Sequence, residues 1–138
     1  MNNRYIFRGK RKDNGEWVEG YYVCLNGDRH FIYTGYAETD CGTYYPDCHE
    51  VIPETVGRCT GLKDKKGKLI FEGDMTITDK FSTPETRYTI VYDKEIATFI
   101  GQYKKGCIKH FTTFDGDSNC FEVIGNIHDN PELLEVER

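Results

Sequence analysis

No stretch of this chain approaches the roughly 18 apolar residues that a membrane-spanning helix needs. The residues after Met1, Asn2-Asn3-Arg4-Tyr5, carry no apolar signal-peptide core. A membrane helix is therefore not expected, and the chain reads as cytoplasmic. With only 4 prolines there is no proline-rich linker, and the sequence shows no internal repeat or low-complexity tract. Positive charge is also short. A formal net charge of −5 repels phosphate backbones and anionic membranes, so any nucleic-acid contact has to come from a local patch. The six cysteines, Cys24, Cys41, Cys48, Cys59, Cys107 and Cys120, lack the closely spaced pairs of a structural zinc site. Without an export signal the expected state is reduced thiols, with no metal and no cofactor.

What the sequence does have is aromatic and β-branched residues. Tyr (10) and Phe (8) dominate the aromatics and, with many Val, Ile and Thr, favour half-buried pleated surfaces over helices. At 138 residues the chain can form one core or two lobes. Tyr5-Ile6-Phe7-Arg8-Gly9-Lys10, then Asp13-Asn14-Gly15, then Glu16 to Val23 predict a hairpin, because Asn-Gly supplies the positive φ angles of a tight turn. Asn26-Gly27-Asp28 repeats the signal before a third strand, His30 to Thr34. From Gly35 to Pro53 no period of 2 or 3.6 persists, which predicts a long irregular connection, either a partner-binding loop or a joint between lobes.

Further on, the composition of Asp64 to Gly67 predicts a sharp turn, and Gly73-Asp74 another. Met75 to Asp79, Arg87 to Tyr92, Ile96 to Ile100, Cys107 to Phe114 and Phe121 to Ile127 read as short strands whose spacing suits a small barrel with Ile77, Ile90, Tyr92, Phe99 and Val123 in its core. Asn130 as cap, Pro131 at the first helical position and Glu132 ahead of Leu133-Leu134 predict a short terminal helix.

Three segments give the chain its resemblance to a known family. They are Val51-Ile52-Pro53-Glu54-Thr55-Val56-Gly57; the run Thr60-Gly61-Leu62-Lys63-Asp64-Lys65-Lys66-Gly67-Lys68 ending in Glu72-Gly73-Asp74; and Phe121 to Leu134. With Ile6 to Lys10 and Trp17, they resemble the YopX family of phage and prophage proteins. The match departs at Arg58-Cys59, where the family tends to carry a polar residue and an aromatic. The resemblance implies a mainly β (α+β) fold: an N-terminal β-meander lobe over residues 1–59 and a C-terminal SH3-like β-barrel lobe over residues 60–138. It implies no enzymatic activity and no catalytic residues.

The residues themselves offer little chemistry. Cys41, Cys48, His49 and Cys59 are too widely spaced for a zinc site. Cys107 and His110 are three apart on a predicted strand, which sends them to opposite faces. Glu72 and Asp74 flank a glycine that permits a bend, with Asp74 bonding the backbone there. No catalytic or metal site is expected. Two clusters can carry contacts. Lys63, Lys65, Lys66 and Lys68 crowd one turn, with Lys104, Lys105 and Lys109 near another, as candidates for nucleic acid or a partner and with a solvated turn as the plainer reading. Tyr36, Tyr44 and Tyr45, with Tyr33, make the irregular connection too aromatic for a freely solvated loop, so a protein partner or a second copy in a homo-oligomer is expected to cover it. The expected role is a non-enzymatic binding or assembly protein; a nucleic-acid-associated accessory protein is the alternative and a hydrolytic enzyme the third.

Overall fold

In a computed structural model, which describes residues 5–78, 86–105, 108–113 and 121–134, the chain is built almost entirely of antiparallel strands. It divides into two compact units, Met1–Cys59 and Thr60–Arg138. The strands are β1 (Phe7–Lys10), β2 (Trp17–Leu25), β3 (Arg29–Glu38), β4 (Tyr44–Glu50), β5 (Gly57–Lys63), β6 (Leu69–Phe71), β7 (Asp74–Thr78), β8 (Thr86–Asp93), β9 (Thr98–Lys105), β10 (Ile108–Thr113) and β11 (Phe121–Asn126). Among the described residues the only helical pieces of three or more residues are the short 3-10 turns Pro53–Thr55 and Pro131–Leu134.

The first unit is a meander in the order β4-β3-β2-β1-β5. Asn26 and Gly27 both take positive φ, 56° and 79°, the requirement of a tight hairpin turn between β2 and β3. One face of this sheet is packed: Ile32 and Val51 are fully buried, and Gly9 lies so close to Val51 that an added Cβ would sit 3.1 Å from the valine Cβ. Thr55 locks the end of β1, its hydroxyl accepting the Lys10 N–H at 2.9 Å and donating to the Ile52 carbonyl at 2.6 Å.

The expected irregular connection after Thr34 is not a loop. β3 runs on to Glu38 and returns as β4, with Tyr36 opposite Pro46, Ala37 opposite Tyr45 and Glu38 opposite Tyr44. The register shifts between Tyr33 and Gly35, a β-bulge with Gly35 at φ 135°. A bulge adds a residue to one strand and so breaks the alternation by which a strand is recognised in sequence.

In β5, Arg58 and Gly57 pair with Phe7 and Arg8 of β1, and β6 neighbours β5 in the strand order. The remaining strands form a five-stranded sheet, β10-β9-β8-β7-β11, whose end strands β10 and β11 are not hydrogen-bonded to each other. The expected closed barrel is therefore absent among the described residues. The hairpin of residues 60–71, which a barrel would have used, contributes no strand to this sheet. It packs on it instead: Ile70 and Ile90 form the buried centre, with Leu62, Tyr88, Phe99 and Val123 against them. Of the other expected core residues, Tyr92 meets Phe99 edge-on at 5.2 Å, and Ile77 is half-buried.

The expected terminal helix is a single 3-10 turn, Pro131–Leu134, in which the Leu133 N–H bonds to the Asn130 carbonyl at 3.0 Å. The Asn130 side chain accepts the Asn126 N–H at 3.3 Å, which ties it back to β11. Four residues do not repay the nucleation of an α-helix.

Candidate functional site

Two features of the first unit's sheet combine to make a groove. The bulge between Tyr33 and Gly35 adds one residue, so Tyr33 and Tyr36, three apart in sequence, share a face that an unbroken strand would deny them. Tyr21 pairs with Tyr33, so it joins that face, as do Glu38 and, from β4, Tyr44 and Pro46. Ile6, Gly20, Tyr21, Tyr33, Thr34, Gly35, Tyr36 and Pro46 line an open groove of about 520 Å³. Tyr21 is 54% and Tyr36 76% exposed, so the rings stand in solvent as walls. Gly20 forms part of the floor because β2 and β3 approach closely there. A Cβ on Gly20 would lie 1.9 Å from the Tyr33 carbonyl oxygen.

Polar contacts fix this hairpin. The Thr34 hydroxyl lies 2.9 Å from Asp47 Oδ2 and 3.1 Å from the Asp47 carbonyl oxygen, bridging β3 to β4 at the bulge. At the tip, the Thr39 N–H donates to the Thr43 carbonyl at 2.7 Å, and the two threonine hydroxyls meet at 2.6 Å. The exposed Cys41 thiol sits beside them, held below its ordinary pKa by the Thr39 hydroxyl first and Thr43 second. Charge here has one sign. Between Arg29 and Arg58 the chain carries Glu38, Asp40, Asp47, Glu50 and Glu54 but no lysine or arginine. Glu50 is met by Arg29 at 3.1 Å and Lys12 at 3.4 Å, and Asp47 faces His49 at 3.5 Å. Glu38 makes no ion pair among the described residues.

Of the tyrosines singled out from sequence, the structure brings Tyr36 and Tyr44 to the groove's face and puts Tyr45, one residue on, on the other. One flat contact does not reach all three. Tyr21, Ile6 and Pro46 escaped the sequence reading. The alternation of Gly20-Tyr21-Tyr22 was the available signal for Tyr21, whereas Ile6 and Pro46 join only through pairing.

The lysine turn has a different character. Lys65, Lys66 and Lys68 are exposed around a buried Asp64, with Lys63 exposed at the end of β5. Asp64 Oδ1 accepts the N–H groups of Lys66 at 2.9 Å and Lys68 at 2.8 Å, and Oδ2 accepts that of Val123 at 3.0 Å. Burial pushes the Asp64 carboxyl up, but the donors of Val123, Lys68 and Lys66 outweigh it and hold the group below its ordinary value. Glu122 takes Lys66 at 2.8 Å and Lys65 at 3.5 Å, so two of the four lysines share one carboxylate, which offsets one of the cluster's four charges. The side chains of Lys104, Lys105 and Lys109 lie outside the described residues.

The other candidates stay dispersed. Asp74 Oδ2 accepts the Phe71 N–H at 2.8 Å, tying the carboxylate to the backbone at the Gly73 bend. Cys24, Cys41 and Cys48 are exposed and Cys59 buried, and no group of three or more metal-ligating side chains converges among the described residues. Cys107, Cys120 and the His110 side chain lie outside them. A polar trio not singled out from sequence shares the sheet face of Ile32: the Tyr22 hydroxyl bonds His30 Nδ1 at 2.5 Å, the two rings stack at 5.8 Å, and the exposed Cys24 pairs with His30 across the strands. The Tyr22 hydroxyl pKa is raised by burial first and by Cys24 second. No helix among the described residues is long and apolar enough to cross a membrane.

A family model described as YopX protein matches residues 6–135. The chain belongs to the YopX family. Among solved structures, this YopX chain is similar to the crystal structure of protein EF1440 from Enterococcus faecalis. The TM-score is 0.57 with 26% sequence identity, covering 94% of this chain and 96% of that one. None of the curated proteins compared gives a significant match. The family run from Thr60 to Asp74 falls on the Asp64 turn and the Asp74 bend, both of which hold backbone in place.

Proposed function

We propose that this YopX protein is a non-enzymatic binding or assembly protein of a phage or prophage, acting in the host cytoplasm and gripping a protein partner in the tyrosine-lined groove of its first unit. The observation that supports this reading is the groove itself: about 520 Å³ of open, largely apolar space walled by Tyr21, Tyr33 and Tyr36 on a rigid sheet. Tyrosine is favoured at interfaces because it offers contact area and a hydroxyl at small entropic cost. The outer edge of β4 is a poorer docking site, since Pro46 removes a backbone donor and Asp47 places charge there.

Tyr36 and Tyr44 lie beside Glu38, so a two-fold contact of this face centred on these tyrosines would bring the Glu38 carboxylates of two copies together. A different protein suits the groove better than a symmetric homo-oligomer. The nucleic-acid reading has less support, because Glu122 compensates Lys65 and Lys66.

Affinity purification from nuclease-treated lysogenic cells, with the chain and its Tyr36→Ser, Tyr44→Ser variant side by side, tests the proposal. A stoichiometric protein partner that the variant loses is expected. Partner recovery equal in both, or recovery that depends on intact nucleic acid, would refute it.

A further inference from the structure

In the first unit, aromatic rings near a cation of the same chain are already covered. Arg8 lies 4.6 Å and Lys10 5.6 Å from the Trp17 ring centre, and Arg29 lies 5.0 Å from that of Phe31. The rings of Tyr21, Tyr36 and Tyr44 have no such cation among the described residues. Tyr36 and Tyr44 lie in a span, between Arg29 and Arg58, that contains no lysine or arginine. Beside these bare rings stand carboxylates. Glu38 pairs with Tyr44 and lies two residues from Tyr36 on the same face, and Asp40 follows at the hairpin tip. A ring face and a carboxylate together are what an arginine or lysine side chain seeks: the π-cloud attracts the cation, and the carboxylate adds a charge-assisted hydrogen bond.

We infer that the groove takes an extended, cationic polypeptide segment, with an arginine or lysine laid against Tyr36 and Tyr44 and its charge met by Glu38. This rests on the reading of the groove as a protein-binding site and adds the chemistry of the partner. The charge of the hairpin selects it. An acidic segment or a nucleic-acid strand meets Glu38 and Asp40 with repulsion, and a neutral one leaves the carboxylates without a counterpart. Extended backbone fits because its side chains alternate, so cations at every second position turn toward the same sheet face while the intervening residues stay clear. Arginine suits the site better than lysine, since its planar group stacks on a ring while donating from its edge.

The test uses the full chain and three labelled peptides on one Gly-Ser background, with two arginines, two glutamines or two glutamates at alternate positions, read by fluorescence anisotropy. The arginine peptide is expected to bind at least about fivefold tighter than the glutamine peptide, to weaken as salt rises, and to lose most of its affinity in the Tyr36→Ser, Tyr44→Ser variant. Glu38→Gln is expected to weaken the arginine peptide about threefold and leave the glutamine peptide unchanged. If the glutamine peptide binds as tightly as the arginine peptide and both depend on the tyrosines, the cationic specificity is wrong while the groove remains a binding site. If the arginine peptide binds equally to the tyrosine variant, or shows no saturation below about millimolar, the inference fails. Light scattering on the chain alone separates one further occupant. A constant monomer mass is expected, and a mass that grows with concentration and falls in the Tyr36→Ser, Tyr44→Ser variant would show a second copy in the groove instead.

Discussion

The Asp64 turn and the tyrosine hairpin use polar and aromatic residues in opposite senses. At the turn, a carboxylate is buried and spends both oxygens on three backbone N–H groups, while two of the exposed lysines around it are met by Glu122. At the hairpin, Tyr36 stands 76% exposed at the groove and Tyr44 68% exposed on the same sheet face, and Glu38 between them in the register has no ion-pair partner among the described residues. A charged group satisfied inwardly holds a fold together, whereas aromatic area left outward is the surface on which the proposed partner would dock. The region with the family's recognisable run is thus the structural one, and the region that looked patternless carries the surface.

The largest effect expected from this contrast is on stability at the turn. Asp64→Ala leaves three backbone donors without their acceptor and should cost about 3 kcal/mol, measured as a shift in the denaturant midpoint. A loss under about 0.5 kcal/mol would show that water replaces the carboxylate freely. Second, Gly20→Ala pushes a Cβ into the Tyr33 carbonyl, 1.9 Å away, and forces β2 and β3 apart. It should cost about 2 kcal/mol and weaken binding in the groove, making it the one groove position where stability and binding fall together.

The pH dependence of the turn gives a smaller and more specific effect. Because the native Asp64 carboxyl is held below its unfolded value, its contribution is full above roughly pH 4 and is lost as pH falls through the lower native value. The stability gap between the protein and Asp64→Asn should therefore be widest near neutrality and close in acid. A gap that stays constant down to about pH 2 would show that the charge of Asp64 is immaterial. Smallest of all, Tyr36→Ser with Tyr44→Ser should change stability by less than about 0.5 kcal/mol, as exposed substitutions do. A loss of about 2 kcal/mol would mean that the rings belong to the core of their own unit.

How far the sequence revealed these regions depended on whether a local signal existed. Asn26-Gly27 needs positive φ at both positions and announces it by residue type, and the Asp64-Lys65-Lys66-Gly67 turn does the same. The hairpin of β3 and β4 was hidden by its own bulge, since the extra residue at Gly35 sends Tyr36 to the face where alternation would place Ala37. The groove was hidden for the same reason: Tyr21, Tyr33 and Tyr36 converge only once the register is known, and Pro46 enters from a strand that was not recognised. The closed barrel was expected from strand spacing, which records length and not partner choice. Pairing put β6 beside β5 and left the five later strands as an open sheet. At the end of the chain, Asn130-Pro131-Glu132 has the residue types of a helix start, but the Asn130 side chain turns back to β11 and only one 3-10 turn forms in place of the expected helix.

The division between structural turn and binding hairpin is tested most directly by mapping the arginine peptide onto backbone amide resonances of the isotope-labelled chain. Chemical-shift changes are expected at residues 20–21, 33–38, 44, 45 and 47, with the amides of Lys65, Lys66 and Lys68 unmoved. Changes centred on the lysine turn and silent at the hairpin would contradict it.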